Sequence, residues 1–319
     1  MRQASHCLVC HGPLDNIDSQ YHPACCSQLF DQARVPDLPY SNSEIEDLAK
    51  QVVKRRTTVP GVQAKLSLQM ETSVKDSSRL TLVGLWGEYI LKPPVKKYPF
   101  MPEIENLTMR LATLFRIATV PHGLIPLKSG ELAYITRRID RLAGSQKRHM
   151  EDMCQLGGRL TEDKYRGSME QIGKIIKRYA SNPLLDCIRF FEMTIFSFLT
   201  GNSDMHLKNF SLIYPVSDMI QLAPAYDLLS TRLLIPEADD PEEMALMLNG
   251  KKRNFTTRDF RKLSENLGLN RKQVENIFKR FTRALPGIKR EVDNGFLPTA
   301  TKEQYKSIIY ERAARLGLA

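Results

Sequence analysis

The stretch G-N-S-D-M-H-L-K-N at residues 201–209, followed by A-P-A-Y-D at 223–227, decides how this chain is read. Asp204 and Asn209 stand five apart, the spacing of the base and the metal-binding amide in the protein-kinase loop H-R-D-x-x-x-x-N. Phosphoryl transfer needs a carboxylate to accept the proton of an attacking hydroxyl. It also needs an amide and a second carboxylate to hold Mg2+ on the phosphates. Asp227, beyond a short hairpin, supplies the second carboxylate. Taken singly, such residues often only satisfy turn amides and cap helices. In this order, behind an apolar run, they form a set that turn chemistry does not require.

Working outward, the run C-I-R-F-F-E-M-T-I-F-S-F-L-T-G at 187–201 suits a helix buried in a core, and two short strands over 209–215 and 219–227 bracket the loop between them. From Thr257 onward the pattern is amphipathic helix. Upstream, V-Q-A-K-L-S-L-Q-M at 62–70, S-R-L-T-L-V-G-L at 78–85 and E-Y-I-L-K-P-P at 88–94 alternate apolar and polar positions between turn residues and read as strands. A helix from Pro102 to Phe115 interrupts them, with Ile104, Leu107, Leu111 and Leu114 on one face. Before the strands, S-N-S-E-I-E-D-L-A-K-Q-V-V-K-R at 41–55 predicts a helix to Lys54, opened by a capping box of Ser43 and Glu46.

The 319 residues carry 46 Lys and Arg against 36 Asp and Glu, a net charge of +10, with 42% hydrophobic and 26% charged residues. These are ordinary globular values and argue against a disordered, collagen-like or membrane-embedded chain. No window reaches the roughly 18 apolar residues of a spanning helix. The start lacks the apolar core of a secretion signal, so a cytoplasmic protein is expected. The positive charge speaks for an acidic partner, nucleic acid or nucleotide phosphates without choosing among them.

The two loops, together with T-T-V-P-G-V-Q-A-K-L-S-L at 57–68, Y-I-L-K-P at 89–93, R-R-I-D-R at 137–141 and E-D-M-C-Q at 151–155, give the chain its resemblance to the HipA family of serine/threonine kinase toxins. The motifs are collinear over roughly residues 50–280. The resemblance implies an α+β, bilobal protein-kinase-like fold. Residues 1–50 would be a Cys/His-rich segment plus helix, 51–140 a small β-rich lobe and 141–319 a larger helical lobe. The implied activity is transfer of the ATP γ-phosphate to a Ser or Thr, with Asp204 as base and Asn209 and Asp227 holding Mg2+.

By the same resemblance, Gly61, Val62 and Gln63 cover the nucleotide phosphates, where glycine permits close backbone approach. Lys92 reaches the α and β phosphates, and Glu105 is the candidate for positioning it, a solvated helix face being its plain alternative. Residues 137–140, with Arg138 and Ile139, would form the hinge that meets the adenine. Gln155 would lie near the nucleotide or catalytic loop, and His206 and Lys208 would face the phosphates. Thr58, with Thr57 beside it, aligns with a self-phosphorylation site. Adding about −1.5 to −2 charges there would repel ATP.

The Gly loop begins near residue 57, so the length matches the short HipT-type kinases of three-part systems. That implies a HipS-like small protein and a HipB-like DNA-binding antitoxin as partners. The implied substrate is an aminoacyl-tRNA synthetase, with tryptophanyl or glutamyl synthetase as first choices, and the outcome inhibited translation.

The six cysteines include four within the first 26 residues. Cys7-x-x-Cys10 with His22-x-x-Cys25 has the ligand types and spacing of a structural Zn2+ knuckle. Reduced thiols packing a small terminal segment are the alternative. Two other functions stay open from sequence: a small-molecule or lipid kinase, which uses a similar loop, and a zinc-knuckle nucleic-acid binder. For the latter, K-R-R at 54–56 and K-K-R at 251–253 are short and far apart.

Overall fold

The computed structural model describes residues 6–16, 19–54, 64–72, 78–83, 87–142, 146–216 and 219–318. The chain forms two compact units. The first takes the residues up to Leu107, Val120–Lys147 and Asn294–Leu297; the second takes Thr108–Thr119, Arg148–Asp293 and Pro298 onward.

In the first unit, strands β1 (Leu66–Thr72), β2 (Ser78–Val83), β3 (Tyr89–Lys92), β4 (His122–Pro126) and β5 (Leu132–Arg137) form an antiparallel sheet in the order β2-β1-β3-β5-β4. The register places Leu68 opposite both Leu82 and Tyr89, and Lys92 opposite Tyr134. Alternation then buries Leu66, Leu68, Leu80, Leu91 and Ile135 in one core. Helices α1 (Pro23–Phe30) and α2 (Asn42–Lys54) precede the sheet, and Leu29, Phe30 and Ile45 fill the same core.

The amino-terminal segment also closes both sheet edges, whose bare N–H and C=O groups would otherwise invite pairing with another chain. Leu124 of β4 donates its N–H to Leu8 O at 2.9 Å, and Tyr21 Oη donates to Leu124 O at 2.8 Å. On the opposite edge, Leu80 N donates to Asp37 O at 2.8 Å and Asp37 N to Ser78 O at 2.9 Å. Gly123 permits the first contact, because a Cβ there would stand 2.8 Å from Val9 Cγ2.

Helix α2 ends where the sequence places it, but its cap is different. Ser41, not Ser43, makes the capping box: Ser41 N donates to Glu44 Oε2 at 2.7 Å, and Ser41 Oγ accepts from Glu44 N at 3.4 Å. Glu46 instead accepts from Asn42 Nδ2 at 3.2 Å.

Helix α3 (Met101–Leu114) begins in the first unit and ends in the second. The second unit is mainly helical: α4 (Met153–Leu156), α5 (Met169–Tyr179), α6 (Pro183–Leu199), α7 (Thr257–Leu267), α8 (Arg271–Asn294) and α9 (Thr299–Arg315). A three-stranded sheet, β6 (Met150–Asp152), β7 (Ser211–Ile213) and β8 (Gln221–Leu222), pairs antiparallel in the order β6-β7-β8.

Helix α6 is the spine of this unit. Phe190, Phe191, Phe196 and Phe198 are fully buried, with Phe198 against Phe260 at 5.3 Å between ring centres. Its buried hydroxyls bond back one turn, Thr194 to Phe190 O, Ser197 to Met193 O and Thr200 to Phe196 O at 2.8–2.9 Å, which lets polar residues sit in an apolar core. No helix of the described residues is long and apolar enough to cross a membrane.

Candidate active site

Helix α6 ends at Leu199 with Thr200 as its cap, and Gly201 follows with a φ of +69° in the left-handed region that favours glycine; a Cβ there would also stand 2.9 Å from Arg232 Cβ. The chain then turns into a loop whose backbone is tied down almost residue by residue. Asn202 N donates to Ser197 O at 2.9 Å, Ser203 N to Thr231 Oγ1 at 2.8 Å, Asp204 N to Asn202 Oδ1 at 3.2 Å and His206 N to Asp204 O at 2.8 Å. Leu207–Asn209 closes the loop as a single 3-10 turn.

Asn209 is buried and returns its amide Nδ2 to Asp204 O at 3.2 Å, which leaves its carbonyl oxygen as the end able to ligate a cation. The five-residue spacing read from sequence therefore closes into a ring in space. Asp204 is half-buried, and its Oδ1 accepts from Tyr165 Oη at 2.7 Å.

The segment 223–227 is fastened to this loop through Tyr226. Its Oη donates to Lys208 O at 3.1 Å and shares a 2.5 Å hydrogen bond with Ser211 Oγ. Asp227 adopts φ +60°, a left-handed conformation that Asp tolerates better than most residues and that costs free energy to hold. His206 lies in the field of both carboxylates. Its imidazole is held below the ordinary range by burial, aided by Lys164, against the opposing pull of Asp204 and Asp227. The ring meets Tyr165 edge-on at 5.1 Å.

Lys208 and Gln155 meet at Asp152. Lys208 Nζ pairs with Asp152 Oδ2 at 2.6 Å, while Asp152 Oδ1 accepts from Gln155 N at 3.0 Å and Gln155 Oε1 accepts from Asp152 N at 2.9 Å. This capping box starts α4 and anchors Lys208 beside the loop. Asp152, Tyr165 and Tyr226 were not singled out by sequence. Asp152 is legible afterwards as an Asp-x-x-Gln cap, whereas Tyr165 lies 39 residues from its partner with no motif to announce it.

In the first unit, β3 and α3 bring Lys92 and Glu105 into a buried ion pair, with side-chain exposures of 5% and 1%. Lys92 Nζ also lies 5.3 Å from the centre of the Tyr134 ring. Arg138 donates its backbone N–H to Glu88 O at 2.8 Å and spends its guanidinium on Asp140, at 3.0 and 2.8 Å. Burial raises the Asp140 carboxyl, but Arg138 and Arg141 outweigh it and hold it below the usual range. Ile139 lies between these two. Thr57, Thr58, Gly61, Val62 and Gln63 lie outside the described residues.

At the amino terminus, one ligand atom from each of Cys7, Cys10, His22 and Cys25 lies within 4.8 Å of the others. Cys10 Sγ is 3.2 Å from His22 Nδ1, and Cys25 Sγ is 4.0 Å from it. Zinc bonds of ~2.3 Å to sulfur and ~2.0 Å to nitrogen put tetrahedral ligands about 3.5–3.8 Å apart, so this donor set fits the ion. His22 Nε2 lies 2.9 Å from Pro13 O, the second contact that orients a ligating imidazole.

A small antiparallel sheet bearing a buried Lys–Glu pair and a helical unit bearing an Asp-x-x-x-x-Asn loop define a kinase-like α+β fold. The chain belongs to the HipA-like C-terminal domain family, whose model matches residues 57–287. A Haemophilus influenzae protein named "Putative kinase" is 32% identical over 270 residues, covering 75% of this chain and 75% of its own length. The serine/threonine-protein kinase toxin HipA of Shewanella oneidensis is 26% identical, over 75% of this chain but 58% of the toxin. Two Sinorhizobium fredii relatives are spanned over 50% and 64% of their lengths.

Among solved structures, the Shewanella oneidensis MR-1 toxin–antitoxin complex of HipA, HipB and operator DNA matches with TM-score 0.67 at 21% identity, over 87% of this chain and 71% of that one. The Helicobacter pylori proinflammatory kinase CtkA matches with TM-score 0.55 at 18% identity, over 74% of this chain and 88% of that one. These two likenesses establish the fold.

Proposed function

We propose that this protein is a HipA-type serine/threonine protein kinase that transfers the ATP γ-phosphate to a hydroxyl of a protein. The observation that carries the reading is the fastening of Asp204, Asn209 and Asp227 into one loop system, through Asn209 Nδ2 on Asp204 O and Tyr226 Oη on Lys208 O. Asp204 accepts the proton of the attacking hydroxyl. The Asn209 carbonyl oxygen and the Asp227 carboxylate would hold Mg2+, which supplies charge neutralisation on the phosphates when bound. His206, whose imidazole burial holds below its ordinary range, and Lys208, fixed by Asp152, line the same loop. In the first unit, Lys92 serves the α and β phosphates and Glu105 holds it in place, while Arg138 and Ile139 contribute the hinge. Gly61, Val62 and Gln63 cover the phosphates.

Membership of the HipA-like family, and the presence of HipB with HipA in the related structure, support a HipB-like DNA-binding antitoxin as partner. A HipS-like small protein completes the proposed set, and a cytoplasmic aminoacyl-tRNA synthetase is the proposed substrate. Self-phosphorylation at Thr58 or Thr57 limits the activity. The Cys7, Cys10, His22 and Cys25 cluster holds a structural Zn2+.

The test is intact mass spectrometry of the purified chain after incubation with ATP and Mg2+, with fragmentation over residues 50–70 and with Asp204→Asn in parallel. One phosphate on Thr57 or Thr58, absent from the variant, is the expected result. A general base contributes about 10²- to 10⁴-fold, so label entering Asp204→Asn at the wild-type rate would sink the assignment.

A further inference from the structure

The loop around Asp204 is fixed at its backbone, yet a general base must also present a particular carboxylate oxygen to its acceptor. Asp204 N is held by Asn202, and Asp204 O accepts from both His206 N and Asn209 Nδ2. What these bonds leave free is rotation of the side chain itself. One contact removes that freedom, the 2.7 Å hydrogen bond from Tyr165 Oη to Asp204 Oδ1.

The tyrosine is itself well placed to act as a fixed point. Lys164, its neighbour, accepts the N–H of Leu207 at 3.1 Å, so the segment carrying Tyr165 is joined directly to the loop it serves. The Arg166 N–H closes back onto Asp163 O at 2.8 Å, making a tight turn around the tyrosine. The phenol ring stands edge-on to His206 at 5.1 Å, and Lys164 Nζ lies 4.9 Å from its centre. Tyr165 is nonetheless 44% exposed, so the contact with Asp204 lies at the solvent-facing side of the loop.

We infer that Tyr165 is a positioning residue for Asp204: by occupying Oδ1 it turns Oδ2 toward the acceptor hydroxyl. A carboxylate accepts hydrogen bonds at both oxygens, so binding the phenol at one does not block proton acceptance at the other. Hydrogen bonds to charged groups are among the stronger ones, and small misplacements of a reacting group are costly in rate. The inference rests on the kinase reading of Asp204, and the experiment separates the two.

Tyr165→Phe keeps the ring and its contact with His206 and removes only the hydroxyl. The measurement is γ-labelled ATP turnover and self-labelling by the full chain with Mg2+, for wild type, Tyr165→Phe, Asp204→Asn and the double variant. The expected result is a fall in kcat of about ten-fold in Tyr165→Phe, with the KM for ATP and the unfolding midpoint unchanged. The double variant should be no slower than Asp204→Asn alone, because the phenol acts only through the carboxylate. Tyr165→Phe turning over at the wild-type rate, or a double variant about ten-fold slower than Asp204→Asn, would overturn the positioning role alone. Equal rates for wild type and Asp204→Asn would overturn the kinase reading beneath it.

Discussion

The amino-terminal unit closes its reactive groups upon one another, whereas the helical unit ties down a backbone and leaves the Asp204 carboxylate partly exposed. Lys92 and Glu105 bury their charges together, and Cys7, Cys10, His22 and Cys25 converge on a single point. By contrast, the hydrogen bonds of the 201–209 loop run mainly to main-chain atoms, so Asp204 stays half-buried and accessible. Groups that satisfy one another stabilise a fold. Groups held by backbone are free to act on something else. Breaking a closed set should therefore cost stability, and breaking the open one should cost chemistry.

The largest effect is expected where closure is tightest. Elemental analysis of the purified chain should find one zinc per molecule, lost together with a substantial part of thermal stability in Cys10→Ser or Cys25→Ser. Binding free energy at a structural zinc is folding free energy, on the order of 10 kcal/mol in the smallest domains. Here that energy would secure the segment that covers both edges of the five-stranded sheet. Cys26 provides the internal control: it is outside the cluster and burial pushes its thiol up to about 11, so Cys26→Ser should keep the metal. A wild-type chain without zinc would show that the cluster is only a set of packed thiols, and zinc retained by Cys25→Ser would remove Cys25 from the ligand set.

Second in size is the ion pair. Lys92→Met leaves Glu105 nearly fully buried and without its cation, which costs about 3–5 kcal/mol in denaturant unfolding. Adding Glu105→Leu should recover much of that, since it also removes the buried charge that Lys92 had neutralised. Asp204→Asn should move the same midpoint by no more than about 0.5 kcal/mol. If Lys92→Met proved as mild as Asp204→Asn, the contrast between the two units would fail.

How much of this was legible in sequence follows from how local each feature is. The α6 run and the Asp204-to-Asn209 spacing are properties of short segments, and both appear in space as ordered elements. The cap of α2 was missed by two residues because Ser41-x-x-Glu44 and Ser43-x-x-Glu46 are the same pattern. The choice between them is made elsewhere in the chain: Lys128 N donates to Tyr40 O and Ser129 Oγ accepts from Asn42 N, both at 2.9 Å, fixing where the helix starts. The docking of Leu8 and Tyr21 on β4 and the Tyr165 contact with Asp204 pair residues far apart in sequence, with no periodicity or spacing to mark them.

The smallest effect concerns an exception inside the closed unit. Glu103 lies two residues before Glu105 on α3, but its Oε2 is buried without a hydrogen-bond partner, and burial raises its carboxyl to about 7. An acid whose folded-state pKa is raised holds its proton in the native state after the unfolded chain has released it. Stability therefore falls as pH rises from about 4.5 to about 7 and stays at the lower value above that. Glu103→Gln removes the ionisable group while keeping the shape. It should raise unfolding free energy by about 1–3 kcal/mol at pH 8 and change it little at pH 4, flattening the pH profile across that window. Equal stability of Glu103→Gln and wild type at pH 8 would mean that Glu103 reaches solvent or a cation when ionised. The ionised Glu103 would then not be an unpaired buried charge, and this exception to the contrast with the open loop would be removed.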